Sequence, residues 1–216
     1  MNSQARDGCL RKISLAEACA CLLVARSTLY FVTSNEEKFR EIRGALEACP
    51  ADIERVALDL PEIQALDPAV VAAYKARRAY DVLASEGRAG LVLVEDTGLA
   101  IAAWNGYPGA LIKWVLGAVG EAGLCRQLDA WEDRGATATV VLCLFDGRDT
   151  HTFTGQARGT ITDRPRGEHG FGWDSIFQPD GAAQTYGEMP REAKMQISMR
   201  ARALQALQDY LMALGG

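Results

Sequence analysis

The sequence predicts an α/β protein built around a mixed sheet. Residues 91–94 form a short apolar run, Leu-Val-Leu-Val, which is typical of a strand buried on both faces. Residues 137–145 and 151–162 have the pattern of two strands around a turn at 146–149, which predicts an antiparallel hairpin. Residues 67–83 instead place apolar side chains three to four positions apart, as in an α-helix. A parallel strand, an antiparallel pair and intervening helices together indicate a mixed sheet.

Length and composition are those of one globular domain. A chain of 216 residues can form one substantial core, and 49% hydrophobic with 24% charged residues is ordinary for such a domain. The net charge of −5, without a dense Lys/Arg block, argues against nucleic-acid binding. An anionic substrate would therefore need a few placed cations and a metal ion. We expect residues 29–216 to form the domain, after an extension, 1–28, of unknown role.

The extension contains an apolar segment that is too short to cross a membrane. Ile13 to Ala25 is interrupted by Glu17 and falls short of the ~20 residues that a bilayer requires. Basic residues before it resemble a weak signal peptide, but we favour a short amphipathic helix or a loosely ordered extension. The six cysteines contain no CxxC pair, and Cys143 lies in an apolar strand pattern. We therefore expect reduced thiols in a cytoplasmic protein with no membrane partner.

The first strand and the helix after it form a candidate phosphate site. Residues 29–32 are aromatic and β-branched, and Thr33, Ser34 and Asn35 are all good N-cap residues for the helix that follows. The free N–H groups and positive dipole end of a helix accept phosphate, and Lys38 adds a charge one turn in. There is no glycine-rich loop, so this is not a P-loop. The alternative is an ordinary capped helix.

The second strand is predicted over residues 51–60. Pro61 stops it and holds Glu62 in an extended or turn conformation. Asp67-Pro68 then begins the helix described above. On that helix Lys75, taken alone, is expected to be a solvated surface charge, which is the default for lysine.

A pair of carboxylates, Glu95 and Asp96, follows the central apolar run. Successive strand side chains point to opposite faces, so the two diverge unless the chain turns, and Thr97-Gly98 supplies a turn. Carboxylates at the end of a buried parallel strand lie where α/β sheets bind ligands, and hard oxygen ligands suit Mg2+. The alternative is a surface acidic turn. Residues 111–128 then predict a helix that three glycines weaken.

The C-terminal part predicts an irregular loop over residues 167–180 and a last helix over 191–214. Within the loop, Gly170-Phe171-Gly172-Trp173-Asp174 could stack a flat ring and bond its edge, or could form a packed corner. Lys194 and Arg200 lie near the start of the helix and, taken alone, are solvated charges.

Several separated stretches together resemble the inosine triphosphate pyrophosphatase family, which hydrolyses noncanonical purine nucleoside triphosphates. The resemblance runs from about Leu29 to the C-terminus. The motifs on which it depends are FVTSNEEK (31–38), DLPEIQ (59–64), LVEDTGLAIAAWNGYPGALIKW (93–114), GFGWDSIFQPDGAAQTYGEMP (170–190) and KMQISMRARAL (194–204). It implies a long mixed twisted sheet flanked by helices, a central cleft between two lobes, and usually a homodimer. The implied reaction is Mg2+-dependent hydrolysis of ITP, dITP or XTP to the monophosphate and pyrophosphate.

The same resemblance implies roles for individual residues. The metal would be held by Glu62 and Asp96, and the catalytic residues would be Asp96, Glu95 and Lys75, with the carboxylate that activates water left open. The substrate-binding residues would be Thr33, Ser34, Asn35, Lys38, Lys75, Asp96, Thr97, Phe171, Gly172, Trp173, Asp174, Lys194, Met199 and Arg200. Among them, residues 171–174 would form the base pocket, and Arg200 would contact the purine edge.

The C-terminal stretch departs from the family pattern at two positions. Met195 stands where the family has Asn, and Met199 stands where it has a His that contacts the base. A pocket without that polar group discriminates less or differently between bases. Two further hypotheses follow: the same reaction with altered base specificity, and a nucleotide-binding protein with little turnover.

Overall fold

A computed structural model describes residues 28–47, 49 and 51–215, which fold around one mixed sheet. The proposed N-terminal extension lies outside the described residues, apart from Thr28, which begins the first strand. The elements in chain order are β1 (Thr28–Val32), α1 (Glu36–Ala45), β2 (Asp52–Val56), α2 (Pro68–Ser85), β3 (Gly90–Ile101), a 3-10 turn (Ala102–Trp104), β4 (Pro108–Gly109), α3 (Ile112–Gln127), β5 (Gly135–Phe145), β6 (Thr150–Ile161), β7 (Phe177–Pro179), α4 (Arg191–Ile197) and α5 (Met199–Gly215).

Within the described residues, seven strands form a sheet in the order β2-β1-β3-β5-β6-β7, with β4 beside β3. β1 is parallel to both β2 and β3, whereas all the other pairs are antiparallel. The predicted mixed α/β fold is therefore confirmed. Among the helices of this part of the chain, none has the length and apolar character that a membrane crossing requires.

The two faces of the sheet carry separate hydrophobic clusters, because side chains alternate along each strand. On β3, Leu91 and Leu93 belong to one cluster, which includes buried residues of α1, α3 and α5. Val92 and Val94 belong to the other, which the apolar side of α2 covers. Cys143 is fully buried in this second cluster with a free thiol, as predicted.

The central strand differs from the prediction because it does not turn at Thr97-Gly98. β3 continues through the two carboxylates to Ile101. It loses β1 as a partner after Val94, but pairs with β5 from Val92 to Ile101. This long antiparallel partner satisfies the backbone beyond the end of β1, so no turn is needed. Glu95 and Asp96 therefore lie on opposite sides of one continuous strand.

Other elements also differ from the prediction in where they end or how they are divided. The second strand ends at Val56 rather than residue 60, since its partner β1 ends at Val32. The irregular loop contains the short strand β7, which pairs with β6. The last helix is broken at Ser198, whose backbone is extended and whose Oγ accepts a hydrogen bond from the Ala201 N–H. The helix α3 is kinked at Gly120, one of its three weakening glycines.

Gly155 on β6 is required for α5 to pack closely against the sheet. A Cβ added there would overlap the carbonyl oxygen of Met199 and crowd the backbone of Ala203. We expect Gly155→Ala to destabilise the protein by about 1–3 kcal/mol, measured by chemical denaturation, because the backbone of α5 must move. The control is Gly44→Ala in α1, where an added Cβ meets nothing within 4 Å. That change should stabilise by about 0.5–1 kcal/mol, and an equal loss in both variants would contradict the close-packing argument.

Candidate active site

A cavity of about 730 Å3 opens where β1 ends and β3 continues. Parallel strands end there, which is where α/β sheets bind ligands. Of the residues that the sequence assigns to substrate, metal or catalysis, those lining the cavity are Thr33, Ser34, Asn35, Lys38, Glu62, Lys75, Glu95, Asp96, Thr97, Phe171, Gly172 and Trp173. The remaining assigned residues, Asp174, Lys194, Met199 and Arg200, do not line the cavity, contrary to the expectation that they bind substrate directly. The cavity thus brings carboxylates, lysines and three aromatic side chains, Trp114, Phe171 and Trp173, together.

The loop between β1 and α1 is held by its own side chains. Asn35 is the N-cap of α1, and its Oδ1 accepts a hydrogen bond of 3.0 Å from the Lys38 N–H. Thr33 Oγ1 accepts one of 3.1 Å from the Asn35 N–H. The predicted capped helix is therefore present, and its N-terminus faces the cavity.

Two lysine–carboxylate pairs line the cavity. Lys38 Nζ lies 2.8 Å from Glu95 Oε1, and Lys75 Nζ lies 2.7 Å from Glu62 Oε1. Lys75 therefore has a partner rather than being a solvated surface charge. Partial burial alone would raise the pKa of Glu62, but the hydrogen bond and charge of Lys75 lower it overall. Both carboxylates are thus held ionised beside a cation.

Asp96 is the carboxylate with a free oxygen. Its Oδ2 is buried and accepts no hydrogen bond. Burial raises the pKa of Asp96 to about 7, although the charges of Lys75 and Lys38 oppose this rise. A buried carboxylate oxygen without a partner suits a bound cation or a proton.

Glu62 and Asp96 are two carboxylates that could hold a metal whose other ligands came from water and a substrate. Within the described residues, this cavity included, there is no group of three or more His, Cys, Asp or Glu side chains that could hold an ion. Mg2+ is commonly held by one or two carboxylates, with water and substrate phosphates filling its other positions. The donor set of this cavity matches that pattern and does not match a closed structural metal site.

Glu95 is buried and ionised. Its two oxygens accept hydrogen bonds from Arg200, from Nε to Oε2 at 2.9 Å and from Nη2 to Oε1 at 3.1 Å. Burial alone would raise the pKa of Glu95, but Arg200 and Lys38 lower it to about 2. Each oxygen of Glu95 is therefore already engaged, in contrast to Asp96.

The aromatic loop is organised by Asp174. Its Oδ2 accepts hydrogen bonds from the Phe171 N–H at 2.8 Å and from Lys194 Nζ at 2.6 Å. Phe171 lines the cavity and is half-buried, whereas Trp173 is buried and contributes to the main core. The loop is therefore a packed corner in which Phe171 also lines the cavity, and stacking of a flat ring there stays a prediction.

Lys113 is a cavity residue that the sequence analysis missed. It lies in the first turn of α3 and lines the cavity. Burial raises the pKa of Glu62, whereas the charge of Lys113 helps to lower it, though less than Lys75 does. The available signal was its position just after the Pro108-Gly109 turn, at the start of a predicted helix. It gives the cavity a third lysine beside Lys38 and Lys75.

The chain is similar to a known family in its sequence and in its structure. A family model described as the Ham1 family matches residues 29–210. The chain is 44% identical over 181 residues to inosine triphosphate pyrophosphatase 2 of Trypanosoma cruzi, which covers 83% of this chain and 89% of that protein. It is 41% identical over 192 residues to inosine triphosphate pyrophosphatase of Kluyveromyces lactis, covering 87% of this chain and 97% of that protein. A HAM1 protein from Coxiella burnetii has a similar solved structure, with a TM-score of 0.74, 26% identity, and coverage of 86% of this chain and 98% of that one.

Proposed function

The chain belongs to the Ham1 family, and on that basis we propose that it hydrolyses noncanonical purine nucleoside triphosphates, such as ITP, dITP and XTP, to the monophosphate and pyrophosphate. The observation that carries the proposal is one cavity that joins the Glu62–Asp96 carboxylates and three lysines to an aromatic face. The lysines and the α1 N-terminus suit a triphosphate, and the aromatic face suits a flat base.

The reaction joins a water oxygen to the α-phosphorus and breaks the bond from that phosphorus to the oxygen bridging to the β-phosphorus. The electron pair of that bond leaves with pyrophosphate. Mg2+, when held by Glu62 and Asp96, supplies positive charge that stabilises the pyrophosphate leaving group. Lys38, Lys75 and Lys113 line the same cavity and add charge at the phosphates.

We assign activation of the water to Asp96 rather than Glu95. Asp96 Oδ2 is free to accept a proton or a hydrogen bond from water, whereas both oxygens of Glu95 are engaged by Arg200. Glu95 instead holds Lys38 in place. This division gives the two neighbouring carboxylates different roles.

The contacts that would select the base are fewer than the family pattern implies, because Met199 replaces the His. Met199 is 4% exposed and packs in the main hydrophobic cluster, so its side chain neither lines the cavity nor offers a polar group there. A base would meet Phe171 and Trp173 without an imidazole at this position. Altered base preference is therefore the second candidate function.

A substrate panel tests both candidates. Pyrophosphate release with Mg2+ should be measured for ITP, XTP, dITP, ATP, GTP and dUTP. We expect ITP and XTP to be preferred over ATP by at least about tenfold in kcat/KM, as a modest difference in base contacts allows. A different best substrate would support altered specificity. Tight binding in calorimetry without pyrophosphate release from any nucleotide would instead indicate a binding protein.

We also propose a homodimer and a cytoplasmic location, on the family resemblance and the free buried thiols. Trp131 lies outside the cavity lining and is 48% exposed, and apolar surface of this kind is what a second subunit would cover.

A further inference from the structure

Glu62 lies on a segment that has no helix or strand of its own. Residues 57–67 connect β2 to α2, and the side chain of Glu62 is 40% exposed. Its ion pair with Lys75 joins two side chains, and such a pair at an exposed carboxylate fixes a position only loosely. Asp96, by contrast, lies on β3, whose backbone pairs with β5 before and after this residue. The distance between the two carboxylates therefore depends on what holds the backbone of residues 57–67.

One backbone hydrogen bond attaches this segment to the chain that follows β3. The Ala110 N–H donates to the Leu66 carbonyl oxygen at 2.8 Å. Among the described residues, no other backbone hydrogen bond outside the helices and strands joins residues 57–66 to a distant segment. Ala110 comes directly after Gly109, the last residue of β4, and β4 pairs with β3. The segment that carries Glu62 is thus tied, through β4, to the strand that carries Asp96.

This junction is possible because residue 109 has no side chain. Gly109 has a φ of +56°, and a Cβ added there would overlap the Leu66 carbonyl oxygen and lie 2.9 Å from the carbonyl carbon. Gly98 on β3 lies against the same junction, since a Cβ there would be 3.1 Å from the Gly109 carbonyl carbon and 3.3 Å from Pro68 Cγ. Gly98 is two residues after Asp96, so both face the same side of the sheet. Three stretches of backbone therefore meet two residues from Asp96.

We propose that Gly109 is a positioning residue for the metal site: its backbone contact with Leu66 sets the distance between Glu62 and Asp96, and so the affinity for Mg2+. This inference rests on the proposed function, in which those two carboxylates hold the metal. Mg2+ demands near-octahedral geometry, with ligands at about 2.0–2.1 Å, so a displaced carboxylate binds it poorly. A Cβ at residue 109 would push Leu66 away from β4, and Glu62, four residues earlier, would move with it.

The test measures Mn2+ binding to the whole protein without nucleotide, by the loss of the electron paramagnetic resonance signal of free Mn2+. Mn2+ stands in for Mg2+ because it takes the same oxygen ligands. We expect Gly109→Ala to bind Mn2+ about tenfold more weakly than the parent. Glu62→Gln, which lacks the ligand itself, gives the largest loss that displacement of Glu62 could cause. Parent-like Mn2+ affinity in Gly109→Ala would overturn the proposal.

The matched control is Gly106→Ala, in the turn that precedes β4. Gly106 also has a positive φ, +89°, so alanine is strained there too, but an added Cβ meets nothing within 4 Å. We therefore expect Gly106→Ala to bind Mn2+ as the parent does. An equal loss of Mn2+ affinity in both variants would trace the effect to backbone strain rather than to the contact with Leu66, and the proposal would be wrong.

The Mg2+ dependence of turnover separates positioning from general damage. We expect Gly109→Ala to need about tenfold more Mg2+ for half-maximal pyrophosphate release from ITP. At saturating Mg2+, kcat should stay within about threefold of the parent, because excess metal fills a weakened site by mass action. A kcat that is low at every Mg2+ concentration, with an unchanged Mg2+ requirement, would show a merely structural role and would overturn the proposal.

A second variant is used if Gly109→Ala does not fold. Gly98→Ala presses on the same junction less severely, because its nearest contact is 3.1 Å rather than an overlap. We expect about threefold weaker Mn2+ binding in Gly98→Ala, and parent-like binding would overturn the proposal. A parent that binds Mn2+ but releases no pyrophosphate from any nucleotide would contradict the proposed function alone. Equal Mn2+ affinity in the parent and in Glu62→Gln would contradict Glu62 as a metal ligand, and this inference with it, even if ITP is hydrolysed.

Discussion

Replacing Asp96 with asparagine is expected to lower kcat for ITP by about 10³-fold, because the change removes a metal ligand and the proton acceptor together. The shape of the cavity should be retained, since Asp and Asn are nearly isosteric. Asp59→Asn is the matched control, because Asp59 is an exposed carboxylate that lines the same cavity. Pyrophosphate release measures both variants. Activity near the parent level in Asp96→Asn would exclude Asp96 from the reaction.

The same substitution should stabilise the metal-free protein at alkaline pH. The pKa of Asp96 is about 7 in the folded state, raised from its ordinary value by burial. A raised carboxyl pKa contributes stability that is complete below the unfolded pKa and is lost as pH rises through the folded one. In EDTA, the parent should therefore lose stability between about pH 4 and 7 relative to Asp96→Asn. Thermal melts of both proteins at pH 5 and pH 8 measure this, and a stability difference between parent and variant that is the same at the two pH values would contradict it.

Replacing Lys75 with methionine is expected to lower kcat/KM for ITP by about 10²-fold, because the cavity loses a phosphate cation. Glu62 also loses its partner at 2.7 Å, so its pKa should return towards the ordinary range. Arg78→Met is the control: Arg78 lies on the same helix, is exposed, and pairs with Asp81 at 3.6 Å. Steady-state kinetics measure both variants. Equal losses in the two would show that helix α2 responds generally to the loss of a cation.

The features that the sequence predicted well depend on residues that are close together in the sequence. Alternation and apolar runs located the central strand and the β5–β6 hairpin, whose turn is closed by Asp146 accepting from the Arg148 and Asp149 N–H groups. The caps at Asn35 and Asp67 were also recognisable, because a side chain there bonds a backbone group two or three residues away. The resemblance to the inosine triphosphate pyrophosphatase family is confirmed by the family match.

The features that the sequence did not predict depend on contacts between segments that are far apart in the chain. β3 continues past Asp96 because β5, some forty residues later, supplies its hydrogen bonds. Arg200 bonds Glu95 across 105 residues of chain, so no local pattern could show that it faces a carboxylate instead of the cavity. Met199 is buried because Gly155 lets α5 approach β6. The sequence by itself therefore determined the elements, the family and the kinds of side chain at the site. Only the tertiary structure decided which carboxylate has an unpaired oxygen and which has both oxygens paired, since those depend on burial and pairing across the fold.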